Sequence, residues 1–208
     1  MKIYLFDDMQ NADIGYLLKS IDKMPQQRAA QAQKYIHIHD KAICVLSFML
    51  LKYGLYDMGL QTDNTEFAYK NNGKPYIKNE NVFFNISHKD NIIICGLSDY
   101  ECGVDIEKIK PYKQNMAERI CSYDEIKLLL QSDNKEEAFA KIWTVKESYL
   151  KYKGIGIAAD LQSVKKSIQE ENLYIYTQRY KEYVISACLP VKSETEIHKV
   201  DFDMIINL

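Results

Sequence analysis

No apolar run in this 208-residue chain exceeds ten residues, Ala42 to Leu51, and Ser47 interrupts even that one. Such a run is about half of what a helix needs to cross a bilayer, so it reads as a buried helix and no membrane partner is expected. Charge of one sign is missing too: 27 Lys and Arg stand against 29 Asp and Glu, a net charge of −2. Without a global positive field nucleic acid is not an expected partner, and any anion site has to be local. The five cysteines, Cys44, Cys95, Cys102, Cys121 and Cys188, are odd in number and form no C-x-x-C pair. They read as reduced core thiols rather than disulfides. At the N-terminus the four apolar residues after Lys2 are cut off by Asp7 and Asp8, which leaves no secretory h-region and makes the cytoplasm the expected location. Glycine (8) and proline (4) are sparse, and no linker rich in them divides the chain.

What is present is ordinary globular composition, 47% hydrophobic and 27% charged, with tyrosine unusually frequent at 16. Residues 2 to 6 read as a strand, and Ile14 to Ile21 and Gln26 to Tyr53 carry helical spacing, with Asp40 a candidate cap inside the longer stretch. Val82 to Ile86 and Ile92 to Leu97 are strand-like, with Asn-Ile-Ser-His-Lys-Asp-Asn expected as the connection. Val104 to Glu107 alternates as a strand does. Met116 to Leu130 and Glu136 to Tyr152 are helical, the latter closed by Gly154 and Gly156. Leu173 to Leu189 alternates like antiparallel strands. Leu51-Lys-Tyr-Gly54 and Leu150-Lys-Tyr-Lys-Gly154 echo each other, which suggests a duplicated αβ unit. The fold class expected is α+β, with an N-terminal lobe over 1–100 and a C-terminal lobe over 101–208.

Asp105 and Glu107 lie two apart on a strand, so both carboxylates project from one face with Cα atoms about 7 Å apart, close enough to share a hard cation. On that pair alone a solvated edge-strand face is the ordinary explanation. The helix Glu136 to Tyr152 adds a third acid. Its projection places Phe139, Ile142, Trp143, Tyr149 and Leu150 on the buried stripe with Lys146 near the centre, bordered by Glu147 and Lys151 one turn apart. An exposed Glu to Lys pair would explain the last two but not Lys146, whose ammonium needs an anion or water. Two lysines and a glutamate beside a buried Trp suit a place where a metal and a pyrophosphate meet.

Gly103-Val-Asp105-Ile-Glu107, followed 36 residues after Glu107 by Trp143-Thr-Val-Lys146-Glu147-Ser-Tyr-Leu-Lys151, resembles the paired signature of the surfactin-type 4'-phosphopantetheinyl transferases. Gly73-Lys74-Pro75, Asn85-Ile86-Ser87-His88, and Arg119 with Glu125 fall in the order that family requires, so the resemblance spans about residues 1 to 160. It implies two similar lobes related by pseudo-twofold symmetry with the active site in the cleft between them. The implied reaction moves 4'-phosphopantetheine from coenzyme A to a serine of an acyl or peptidyl carrier protein. The implied Mg²⁺ ligands are Asp105, Glu107 and Glu147. Lys146, Lys151, Ser87 and His88 would hold the phosphates, Lys74 would lie near the adenine, Glu147 would take the serine proton directly or through a water, and Lys151 would donate to or stabilise the departing phosphate. The segment from Lys108 to Tyr123, with Lys108, Lys110, Lys113 and Arg119 beside Met116, Ile120 and Tyr123, corresponds to the family's carrier-docking surface.

One position departs from the pattern. The family's arginine for the coenzyme A 3'-phosphate is replaced here by Ile43, so Arg28, Lys34, Lys41 or His37 would have to substitute. A Mg²⁺-dependent phosphohydrolase and a catalytically silent carrier-binding protein are the rival readings. The full set Asp105, Glu107, Glu147 and Lys151 disfavours the silent one. A monomer is expected.

Overall fold

The computed structural model describes residues 1–60, 62, 65–78, 80–156 and 160–207. In chain order the elements are β1 (Lys2–Phe6), α1 (Ile14–Lys19), α2 (Gln26–Gln33), α3 (Ile38–Asp57), β2 (Phe67–Tyr69), β3 (Pro75–Ile77), β4 (Phe83–Lys89), β5 (Ile92–Ser98) and β6 (Gly103–Lys108). There follow α4 (Gln114–Ile120), α5 (Tyr123–Gln131), α6 (Lys135–Lys153), α7 (Val164–Glu170), β7 (Tyr174–Tyr180), β8 (Tyr183–Leu189), β9 (Glu196–Lys199) and α8 (Phe202–Ile206). The fold is α+β, as expected.

The echo between the two halves has a topological counterpart. One sheet has the order β4-β5-β1-β9 and another β6-β8-β7. In each, the opening strand (β1 or β6) pairs antiparallel with the second strand of a later hairpin, and a long helix, α3 or α6, lies between them in sequence. The turn between β5 and β6 joins the two sheets, while β9 returns to pair in parallel with β1 and α8 packs on α3.

Strand periodicity explains how the sheets are placed. Tyr4 and Phe6 of β1, with Ile93, Cys95 and Leu97 of β5, share a core with α3, whose Ala42 to Leu51 run is buried almost throughout. The alternate residues Ile3, Leu5, Ile92 and Ile94 join Val104, Ile106, Ile185, Ala187 and Leu189 of the second sheet in a core between the sheets. Each Val, Leu or Ile among them contributes roughly 1.5–3 kcal/mol by leaving water, which holds the two sheets together.

Two expected helices are divided. The 26–53 stretch breaks after Gln33, and α3 starts with His37 rather than Asp40 at its N-cap; Asp40 lies in the first turn, where its charge complements the helix dipole. The 116–130 stretch breaks at Cys121–Ser122 because a capping box restarts it. Ser122 N donates to Glu125 Oε2 at 2.7 Å, and Glu125 N donates to Ser122 Oγ at 3.4 Å. Gly154 (φ 67°) closes α6 in the left-handed cap expected of it.

A close contact sets α6 against β6. A Cβ built on Gly103 would lie 2.1 Å from the Ser148 carbonyl oxygen and 2.3 Å from the Tyr152 nitrogen, both helix backbone. Only glycine lets strand and helix approach this closely.

Candidate active site

On β6 the period of two turns Val104 and Ile106 into the core between the sheets, while Asp105 and Glu107 occupy the alternate positions. Strand β4 runs beside β6, fixed by Asn85 Oδ1, which accepts from the Val104 backbone N–H at 2.9 Å. From β4, Ser87 Oγ donates to Asp105 Oδ1 at 3.0 Å. From α6, Lys151 Nζ donates to the same Asp105 oxygen at 2.6 Å and to Ser87 Oγ at 2.7 Å. Glu107 is engaged on both oxygens, Oε2 by Lys89 Nζ at 2.7 Å and Oε1 by Trp143 Nε1 at 3.2 Å. Ser87, Asp105, Glu107 and Lys151 are thus brought together as expected, with Glu147 within electrostatic reach of both acids.

Two oxygens in this group stand out. Asp105 Oδ2 and Glu147 Oε1 are buried with no hydrogen-bond partner among the described residues. Leaving such atoms unmet costs about 1–3 kcal/mol each, more for charged groups, and in native proteins such an atom is accounted for by strain, a catalytic role, a water or an ion. Burial pushes the Asp105 carboxyl above its ordinary pKa, with Lys151 pulling the other way. Burial and then the Asp105 charge do the same to Glu147. Acids that resist ionisation beside one another would be relieved by a cation, and carboxylate oxygens are the donors that hard Mg²⁺ prefers. Among the described residues no three His, Cys, Asp or Glu side chains converge as a ready metal cluster. Lys151 and Lys89 instead take one oxygen each of Asp105 and Glu107.

Several expected residues lie elsewhere. Lys146 is 1% exposed, and its ammonium donates to Glu125 Oε2 and to the Leu161 carbonyl, each at 2.7 Å. The buried anion that the sequence called for is therefore a carboxylate of α5, not a phosphate. Lys74 is also buried: its ammonium meets the carbonyls of Cys102 (2.7 Å) and Tyr152 (3.1 Å) and Glu101 Oε1 (2.7 Å), so it stitches the 71–74 turn to the start of β6 and the end of α6. Ser87 and His88 lie within β4 rather than in a connection. The hairpin turns instead at Asp90, whose φ of 50° asparagine and aspartate tolerate better than most residues. His88 faces outward, and lost solvation and then Lys151 hold its pKa below the ordinary imidazole value, with Asp40 of α3 opposing.

Of the cations expected to replace the missing arginine, Arg28 lies on α2, Lys34 at its C-terminal end, His37 at the N-cap of α3 and Lys41 in the first turn of α3. Arg28 is 7% exposed, donates from Nη1 to Gln31 at 3.0 Å, lies over the Phe48 ring and has no partner for its Nε among the described residues. Lys34 is exposed at the end of α2 and Lys41 half-buried in the first turn of α3. Ile43 is 4% exposed in the α3 core, so an arginine at that position would have to be buried. On the expected docking surface Met116 and Tyr123 are exposed, but Ile120 is buried against α6 and cannot anchor a partner.

Lys89 was not singled out from the sequence. The available signal was its position two residues after Ser87, on the same side of the same strand.

Residues 101–196 match the family model of the 4'-phosphopantetheinyl transferase superfamily, a span that holds β6, α6 and the carboxylates described above. The chain belongs to that superfamily and is an enzyme of its transferase class. It is 30% identical over 174 residues to 4'-phosphopantetheinyl transferase gsp of Aneurinibacillus migulanus, a match covering 82% of this chain and 71% of the relative. It is 30% identical over 179 residues to 4'-phosphopantetheinyl transferase psf-1 of Bacillus pumilus, covering 82% and 76%. To 4'-phosphopantetheinyl transferase Sfp of Bacillus subtilis (strain 168) it is 30% identical over 152 residues, covering 71% and 67%.

Proposed function

We propose that this protein transfers the 4'-phosphopantetheine of coenzyme A to a serine of an acyl or peptidyl carrier protein, with Mg²⁺ held by Asp105, Glu107 and Glu147. The observation that carries the reading is the pair of buried, unpartnered oxygens, Asp105 Oδ2 and Glu147 Oε1, beside Lys151 and Ser87. When bound, Mg²⁺ supplies positive charge to the pyrophosphate oxygens.

The remaining work falls to the chain. The carrier serine oxygen forms a bond to the β-phosphorus as the bridging oxygen to the α-phosphate departs, releasing 3',5'-ADP. Glu147 takes the serine proton, directly or through a water. Lys151, free to exchange its Asp105 partner for a phosphate oxygen, meets the charge growing on the leaving group. Ser87 positions Lys151 through their hydrogen bond. Arg28, Lys34, Lys41 or His37, joined by His88, would take the place of the missing arginine at the 3'-phosphate. Tyr123 and Met116, with Arg119, form the carrier-facing rim, to which the acidic surface of a carrier domain is complementary. The protein acts as a cytoplasmic monomer of two lobes that meet between β5 and β6.

Intact-mass analysis of several apo-carrier proteins incubated with the protein, coenzyme A and Mg²⁺ tests this. A gain of one phosphopantetheine on at least one carrier is expected. Phosphate release without any carrier gaining mass would select the hydrolase instead.

A further inference from the structure

Lys146 belongs to the helix that carries the reacting groups, yet its ammonium is turned away from them. At 100° per residue, Trp143, Glu147 and Lys151 follow one face of α6, while Lys146 lies 100° from Glu147 and 140° from Lys151. It cannot reach the same phosphate as Lys151 without rotating the helix. Its ammonium is fully enclosed and ties three segments: α6 itself, the capped start of α5 through Glu125, and the turn after α6 through the Leu161 carbonyl. Glu125 is 7% exposed, and the oxygen that meets Lys146 also closes the α5 capping box by accepting from Ser122 N.

We propose that Lys146 is a positioning residue whose ion pair with Glu125 fixes the rotation of α6, and so holds Glu147 and Lys151 toward β6 and Trp143 on Glu107. The inference rests on the transferase reading above. Its reporter does not, because Trp143 is the only tryptophan in the chain and its indole nitrogen bonds Glu107. Breaking the pair should let α6 turn and shift the indole emission.

The test measures Lys146→Met, Glu125→Gln and the double variant well below their melting temperatures, reading carrier-modification kinetics, coenzyme A affinity by calorimetry, and tryptophan emission. Each single change should lower kcat by about tenfold or more while coenzyme A affinity stays within about threefold, and each should shift the emission. The double variant should be no worse than the poorer single one, because the two side chains act as one unit. Glu125→Gln preserves shape and an acceptor, so it serves if Lys146→Met does not fold. A tenfold or greater loss of coenzyme A affinity in Lys146→Met, with Glu125→Gln unaffected, would make Lys146 a phosphate ligand and overturn the proposal. So would unchanged kcat and emission in both single variants. If the unaltered protein modifies no apo-carrier, the transferase reading fails by itself, and emission and coenzyme A binding still report on Lys146.

Discussion

Replacing Gly103 by alanine adds a single methyl group where α6 and β6 touch, and its effect can be worked from the contact. The new carbon would lie 2.1 Å from the Ser148 carbonyl oxygen and 2.3 Å from the Tyr152 nitrogen. Both are backbone atoms of a continuous helix, so neither can rotate aside, and relief requires the helix and strand to separate by about 1 Å to restore ordinary contact. Overpacking of this kind costs about 1–3 kcal/mol, and in a chain of this size each kcal/mol lowers Tm by about 2–4 °C. The larger effect falls on chemistry. Separation carries Glu147 and Lys151 away from Asp105, and about 1 Å of misplacement at a reacting centre can cost on the order of a hundredfold in rate. Gly103→Ala should therefore lower Tm by about 2–12 °C and kcat by about a hundredfold, read by thermal denaturation and by mass-based carrier modification. Gly156→Ala is the control, since a Cβ there meets nothing within 4 Å among the described residues. Wild-type Tm and kcat in Gly103→Ala would refute the argument that this glycine sets the distance between the acids and the helix.

Asp105→Asn and Glu147→Gln should each lower turnover by about a hundredfold or more at millimolar-scale Mg²⁺, and steady-state kinetics near wild type in either would remove that residue from the metal site. With Ile43 in place of a guanidinium, dephospho-coenzyme A should serve as donor with kcat/KM within about tenfold of coenzyme A. A measured preference above a thousandfold would show that Arg28, Lys34 and Lys41 replace the missing group fully. Asp7 joins three segments by accepting from Tyr180 (2.7 Å), Lys181 (2.5 Å) and Lys199 (3.2 Å); burial alone would raise its pKa, but these bonds lower it to about 2. Because the folded value lies below the unfolded one, this stability is complete above about pH 4 and is lost as pH falls toward 2. It amounts to about 1 kcal/mol once the half-exposed lysines are discounted. Acid titration of stability in Asp7→Asn should lack that step, and an unchanged profile would show that the cluster contributes nothing.

What the sequence determined by itself is what depends on neighbours in the chain. Strand alternation put Asp105 and Glu107 on one face and Val104 and Ile106 on the other, and helical spacing put Glu147 and Lys151 one turn apart with Lys146 in the interior. Those periodicities are properties of backbone geometry and need no partner. Which partner each group meets was decided only by the tertiary structure. Lys146 needed an anion, but that Glu125 supplies it follows from the Ser122 cap, which breaks the expected helix and starts α5 at the right place. Lys74 and Ile43 were read from their place in a pattern, and both are buried because other elements close over them: the end of α6 over Lys74, the first sheet and its helices over Ile43. Ser87, Lys89 and Asp105 share a site because β4, an edge of the first sheet, lies beside β6, an edge of the second, a contact between the two halves that no local periodicity encodes. The return of β9 to β1 is of the same kind, since backbone pairing between distant segments is settled by the packing of whole layers rather than by the residues of either strand.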